Sequence, residues 1–282
     1  MVVRGRRRTE AGRPRTGDPR VRIHIAPVGF EVERVTDPIE SDRADRVYLL
    51  TRAERDAAAP FVNEIVRRLR RLAWAVDVQV VRTDLWDVFH ALATFREIFA
   101  REGRTDRNAA DVLPVRVNVS TGTKITAIAG TLACMLWKGE PYYVQVSRAW
   151  YSDRTPRVSA VHDVVDRIEP VHVYALRAPS TELVQVLEAL ARRSGSLRKR
   201  DLIRELGLDR AGAEGTRVPS VQAQHGRLRR RLDPLEHRWG FVQAEGPGPR
   251  ARIRLTDQGR LALALFGRDG SSSAPLSLNE RM

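Results

Sequence analysis

The chain is poor in cysteine and in lysine, and the first shortage excludes a class of fold. One cysteine, Cys134, stands among 282 residues, so no intrachain disulfide framework is possible. The six histidines are scattered, with no cluster at zinc-ligand spacing. No structural metal and no cofactor are expected. No apolar run approaches the roughly 18 residues needed to cross a bilayer, and the arginines at 4, 6, 7 and 8 are not followed by the apolar stretch of a secretory signal. A soluble, cytoplasmic chain with no membrane partner is expected. Lysine occurs only at Lys124, Lys138 and Lys199, against 46 arginines, a bias that reflects genome composition more than chemistry.

What is present is length for about two domains at roughly 150 residues each, and a formal net charge of +14 that is unevenly placed. Residues 1 to 20 carry seven arginines against Glu10 and Asp18; residues 21 to 174 are almost neutral, with 22 basic against 21 acidic groups; residues 175 to 282 hold 20 against 12. A neutral central domain followed by a basic C-terminal one points to a polyanion partner for the second part. Residues 1–20 read as a disordered, solvated leader, with DNA tethering as the alternative, and residues 269–282 as a flexible tail.

Hydropathy patterning gives 21–176 an α/β reading. Val21 to Ala26, Val47 to Leu50, Val76 to Val81, Val115 to Val119 and Tyr142 to Val146 are short β-branched or apolar runs, with a last strand placed at Val171 to Leu176 and a mixed stretch at 147–170. Between them lie helical patterns from Pro60 (Phe61, Ile65, Leu69, Leu72), from Trp86 to Ala100, and from Ile125 to Trp137. Such alternation predicts a Rossmann-like, doubly wound parallel sheet. In that class ligands bind beyond the carboxyl ends of the strands. Two loops there are distinctive: Pro27, Val28, Gly29 and Phe30 after the first strand, and Ser120, Thr121, Gly122, Thr123 and Lys124 running into a helix. Hydroxyls, a glycine, an ammonium and a helix start form a phosphate-type anion site. Thr123 separates Gly122 from Lys124, so this is not a Walker loop, and the first loop lacks GxGxxG, which disfavours a dinucleotide.

Residues 177–268 read as a winged helix-turn-helix. Ser180 or Thr181 caps a helix bearing Leu183, Leu187 and Leu190; Ser196 caps a second bearing Leu202, Ile203 and Leu206. A third runs from Pro219 to about Leu235 with Val221, Leu228, Leu232 and Leu235 on one stripe. Opposite that stripe stand Ala223, Gly226, Arg227 and Arg230, flanked by Gln222 and Arg229, with Ser220 at the start. Small residues there let the helix enter a major groove. Phe241-Val242, the turn Gly246-Pro247-Gly248-Pro249 and the strand Ala251 to Leu255 make a hairpin, with Arg250, Arg252 and Arg254 facing out as a DNA-contacting wing. A basic helical bundle that binds protein is the rival reading.

The two loops together, Ile23 to Phe30 and Asn118 to Thr126, resemble the CRISPR-associated Rossmann fold (CARF) family, and with the winged helix the chain resembles the archaeal CARF transcription regulators. The basic leader is not part of that pattern. The resemblance implies a homodimer that binds a cyclic oligoadenylate, most often cyclic tetra-adenylate, across its two-fold axis, with Pro27 to Phe30 and Ser120 to Lys124 as the ligand loops. It implies a transcription regulator whose grip on double-stranded DNA is altered by that effector. The helix Ile125 to Trp137, rich in small residues, would suit the two-fold contact. The alternatives are a CARF enzyme that cleaves its cyclic ligand, Lys124 with Ser120 or Thr121 orienting a ribose hydroxyl, and a constitutive DNA-binding protein. An enzyme is the less favoured of these, since no general base is evident: His24 lies within the first strand and His162 has no evident partner.

Overall fold

The computed structural model describes residues 14–52, 57–105, 111–148, 164–210, 219–246 and 251–267. They divide into two compact units, one up to Leu176 and one from Arg177.

The first unit is built on a six-stranded sheet in the order β3-β2-β1-β4-β5-β6. The strands are β1 (Ile23–Pro27), β2 (Arg46–Thr51), β3 (Asp77–Arg82), β4 (Val115–Asn118), β5 (Glu140–Arg148) and β6 (Val164–Pro170). The first five are parallel and β6 runs antiparallel to β5. Every residue of β1 and β2 is buried, as expected of central parallel strands covered on both faces. Helices α1 (Glu33–Ser41) and α2 (Ala59–Leu69) cover one face, packing Val35, Ile39, Phe61, Ile65 and Leu69 on Ala26, Val47 and Leu49. Helices α3 (Val88–Arg101) and α4 (Lys124–Trp137) cover the other, where Gly130 lies against Val117 and Phe95.

Three features depart from the sequence reading. Helix α1 has no counterpart in it, because its nine residues carry Pro38 inside and lack a side-chain cap. Pro38 has no N–H for the Arg34 carbonyl; the side chain of Asn118, at the end of β4, donates to that carbonyl instead at 2.8 Å. A residue distant in sequence therefore satisfies the carbonyl that Pro38 leaves open. The last strand is Val164–Pro170 rather than 171–176, and it closes the sheet antiparallel. Residues 14–20, assigned to the leader, are tied down: Arg46 donates to the Pro14 carbonyl, Glu102 accepts from the Gly17 amide, and Arg104 reaches the Asp18 carbonyl at 2.9 Å. Arg46 and Glu102 are themselves a buried ion pair shared with Asp77 and Tyr48. Residues 1–13 of the leader, and 268–282 with the tail, lie outside the described residues.

The second unit runs α5 (Thr181–Ala191), β7 (Ser196–Arg198), α6 (Lys199–Glu205), α7 (Val221–Asp233), a π-helical turn Pro234–Arg238, β8 (Val242–Glu245), β9 (Arg252–Leu255) and α8 (Asp257–Phe266). The three strands form a sheet in the order β7-β9-β8. One core joins Val186, Leu187 and Leu190 of α5, Leu202 and Ile203 of α6, Leu228 and Leu232 of α7, Leu235, Ile253 and Leu255. Ser196 is not a helix cap: it opens β7, whose pairing with β9 outweighs the capping tendency of a serine. Val221 is 68% exposed and leaves the apolar stripe to Leu228, Leu232 and Leu235. Thr256 caps α8, accepting from the Gly259 amide. Gly259 is required, since a Cβ there would stand 2.1 Å from the Phe241 carbonyl oxygen. No helix among the described residues is long and apolar enough to cross a membrane.

Candidate functional site

In the strand order of the first unit the direction of winding reverses between β1 and β4, the position where open α/β sheets form a ligand crevice. The loops that leave these two strands meet there. A Cβ on Gly29 would lie 3.2 Å from the Gly122 amide nitrogen, and one on Gly122 would lie 2.7 Å from the Pro27 side chain. Gly122 also has φ +78°, a conformation that favours glycine. The Thr121 hydroxyl, buried, donates to the Pro27 carbonyl at 2.7 Å and joins the loops. The structure thus brings Pro27 to Gly29 and Thr121 to Gly122 into one backbone cradle, with Phe30 at its rim, 44% exposed and edge-on to Phe61.

The hydroxyls expected to meet a ligand are engaged within the protein. Ser120 donates through its amide and hydroxyl to Asn118 Oδ1 at 2.9 and 2.6 Å. Thr123 is the N-cap of α4: its hydroxyl accepts from the Thr126 amide while Thr126 Oγ1 accepts from the Thr123 amide. The capping box orders the first turn of α4. Lys124, its first residue, is exposed, and its side chain makes no hydrogen bond or ion pair among the described residues.

Several contributors escaped the sequence reading. Asn118 is buried and bonds Arg34 through Nδ2 and Ser120 through Oδ1. Arg34 is buried beside Tyr143, reaches the Val144 carbonyl at 3.3 Å, and became visible only with helix α1. Trp86, 61% exposed, stacks under the Arg52 guanidinium, and the Thr123 hydroxyl sits 3.3 Å from the neighbouring Leu85 carbonyl. An exposed tryptophan just after a strand was the available signal. Of the small residues of α4 expected to suit a two-fold contact, Ala129, Gly130 and Ala133 are buried in their own domain, Gly130 against Val117 and Phe95, and Ala127 is half-buried.

His24 is held away from this cradle. Its ring is buried, with Nε2 2.9 Å from Asp42 and Nδ1 3.1 Å from the Tyr142 hydroxyl. Burial pushes its pKa below 6.5, outweighing the bond from Asp42. Asp42 is held below the usual carboxylate range, first by that histidine bond and then by Arg116 at 3.4 Å. His162 lies outside the described residues. Cys134 is a buried free thiol, its pKa pushed up by burial.

In the second unit the predicted contact residues fall on one helix and one hairpin. Ser220 caps α7, accepting from the Ala223 amide at 3.3 Å. Gln222, Ala223, Gly226, Arg227, Arg229 and Arg230 are all exposed, and a Cβ on Gly226 would meet nothing within 4 Å. Arg229 pairs with Asp233 at 3.4 Å. In the wing, Ile253 and Leu255 point inward while Arg252 and Arg254 point out; Arg252 bonds the Ser196 hydroxyl at 3.1 Å and Arg254 stands 3.4 Å from Glu245. Arg250 and the turn 247–249 lie outside the described residues.

Residues 22–149 match the family model described as HFX_2341_N-like, N-terminal, and residues 182–267 match the DUF6293 C-terminal winged helix domain. The uncharacterized protein MJ1513 of Methanocaldococcus jannaschii is 29% identical over 135 residues, 45% of this chain; the match spans 38% of that relative's length. Among solved structures, Can2 from Sulfobacillus thermosulfidooxidans in complex with cyclic tetra-adenylate aligns at 14% identity and TM-score 0.35, covering 79% of this chain and 70% of that one. Enterococcus italicus Csm6 bound to cyclic hexa-2'-fluoro-hexa-dAMP aligns at 12% identity and TM-score 0.40, covering 77% and 55%. The chain joins a Rossmann-like α/β domain matched by the HFX_2341_N-like model to a C-terminal domain matched by the DUF6293 winged helix model.

Proposed function

We propose that this protein is a ligand-responsive DNA-binding regulator: the cradle between Gly29 and Gly122 binds a cyclic oligoadenylate, and binding alters the grip of the winged helix on double-stranded DNA. The observation that carries the reading is the pairing, in one chain, of that cradle at a helix N-terminus beside an exposed lysine with a winged helix whose outer face is arginine-rich. With Ser120, Thr121 and Thr123 engaged internally, ligand phosphate is met by backbone amides and by Lys124, the donors suited to an anion at a helix start. The ring size we assign is four, and the active species is a homodimer. Ile128, one turn on from Lys124 and 52% exposed, is an apolar residue of α4 open to the second copy.

In the winged helix, α7 enters the major groove with Ala223 and Gly226 toward the bases, while Arg252 and Arg254 hold the backbone. Fluorescence anisotropy of a duplex from upstream of the protein's own gene, with and without cyclic tetra-adenylate, tests the reading. A ligand-dependent change in affinity is expected; the same affinity in both, at several salt concentrations, would overturn it. Chromatography of the nucleotide after incubation separates sensing from cleavage: the ligand should be recovered intact.

A further inference from the structure

The winged helix domain holds a cavity of about 580 Å³, lined among others by Ser180, Glu182, Leu208, Arg227, Arg230 and Arg231. Arg227, Arg230 and Arg231 recur at helical spacing and so share one flank of α7. Three arginines thus line one concave surface, beside Leu183, Leu208 and Pro234. Arg227 and Arg230 have no hydrogen-bond or ion-pair partner among the described residues. Arg231 is half-committed: its Nε stands 3.4 Å from a Glu182 oxygen whose side chain is 67% exposed. Across the cavity the first turn of α5 lacks a side-chain cap, the Ser180 hydroxyl being unused for that purpose.

Each of these features favours the same occupant. Guanidinium forks match phosphate oxygens. An uncapped helix start presents amides and positive potential. A carboxylate already resting on one arginine marks where an anionic oxygen sits. We propose that this cavity is a phosphate seat that takes a backbone phosphodiester of the DNA beside α7, with Glu182 as an internal carboxylate that the incoming phosphate displaces from Arg231. The proposal rests on the reading of this domain as a DNA binder. It makes Arg227 and Arg230 phosphate-holding residues rather than base readers. The volume is also that of a small-ligand site, so the phosphate of a free nucleotide is the other source of the same chemistry.

The test is equilibrium binding of the full chain to the upstream duplex and to an unrelated duplex, across salt, for wild type, Arg230→Ala and Glu182→Gln. Arg230→Ala should weaken both duplexes alike and flatten the slope of log affinity against log salt by about 0.9, one phosphate contact. Glu182→Gln, which keeps size and helix, should tighten both by about two- to fivefold, the scale of a surface carboxylate competing at a helix start. Loss confined to the upstream duplex with an unchanged slope would make Arg230 a base reader and overturn the seat. In a second arm, inorganic phosphate and adenosine monophosphate are titrated calorimetrically into the DNA-free chain. Heat that vanishes in Arg230→Ala, with an unaltered DNA slope, would replace the DNA source with a free nucleotide. A chain that binds neither duplex sinks the DNA-binding reading itself, and the calorimetric arm then decides the seat alone: no heat overturns it.

Discussion

On the proposed reading the cradle of the α/β domain and the face of the winged helix domain both meet anions, yet they spend their polar groups in opposite ways. At the cradle, Ser120, Thr121, Thr123 and Asn118 bond one another and the backbone, and the shape is fixed before any ligand arrives. On α7, Arg227 and Arg230 stand free among the described residues. A preformed shape of the first kind suits one shaped molecule and tolerates almost no change. The second tolerates substitution and reads charge, with an affinity that follows salt.

The comparison breaks most sharply at Gly122. Gly122→Ala combines a positive φ with a contact of 2.7 Å to Pro27, and we expect a loss of about 3 kcal/mol in unfolding free energy, from strain plus overlap. Calorimetry should show the α/β transition falling while that of the winged helix stays in place. Lys124→Ala should leave both transitions within about 0.5 kcal/mol, because Lys124 is exposed. It should weaken cyclic tetra-adenylate by about 10- to 100-fold, the scale of a lost charge-assisted hydrogen bond; calorimetric titration checks this.

A third effect is specific to the α/β domain. His24 is buried neutral, with its pKa lowered in the folded state, so below pH 6.5 the unfolded chain takes up a proton that the native one refuses. Stability therefore falls as pH drops below 6.5. Asp42, held low, adds to the loss once pH falls through its folded value. The α/β transition should move down between pH 7 and pH 5, and His24→Gln should flatten that dependence. The smallest effects are in the wing: Arg252→Ala and Arg254→Ala should each reduce the salt slope of DNA binding by at most about 0.9, since Ser196 and Glu245 already engage these arginines.

Much of this was legible in the sequence. The parallel strands, the two loops and the helix-helix-helix-hairpin order follow from β-branched runs, glycines and periodicity. What escaped depended on partners far away in the chain. In helix α1, Asn118 supplies the donor that Pro38 lacks, and no local pattern announces that bond. Ser196 joined a strand because β9 lies beside it. The hydroxyls of Ser120 and Thr121, expected as ligand donors, also bond Asn118 and Pro27; residue type fixes what a group can donate, and only the fold decides to whom.

The central claim is that the two anion sites are coupled, and coupling must be reciprocal. The most direct measurement is calorimetric titration of cyclic tetra-adenylate into the full chain, alone and with saturating upstream duplex. The account predicts that DNA changes the affinity for the nucleotide by the same factor by which the nucleotide changes the affinity for DNA. An identical nucleotide affinity in the two titrations would contradict it.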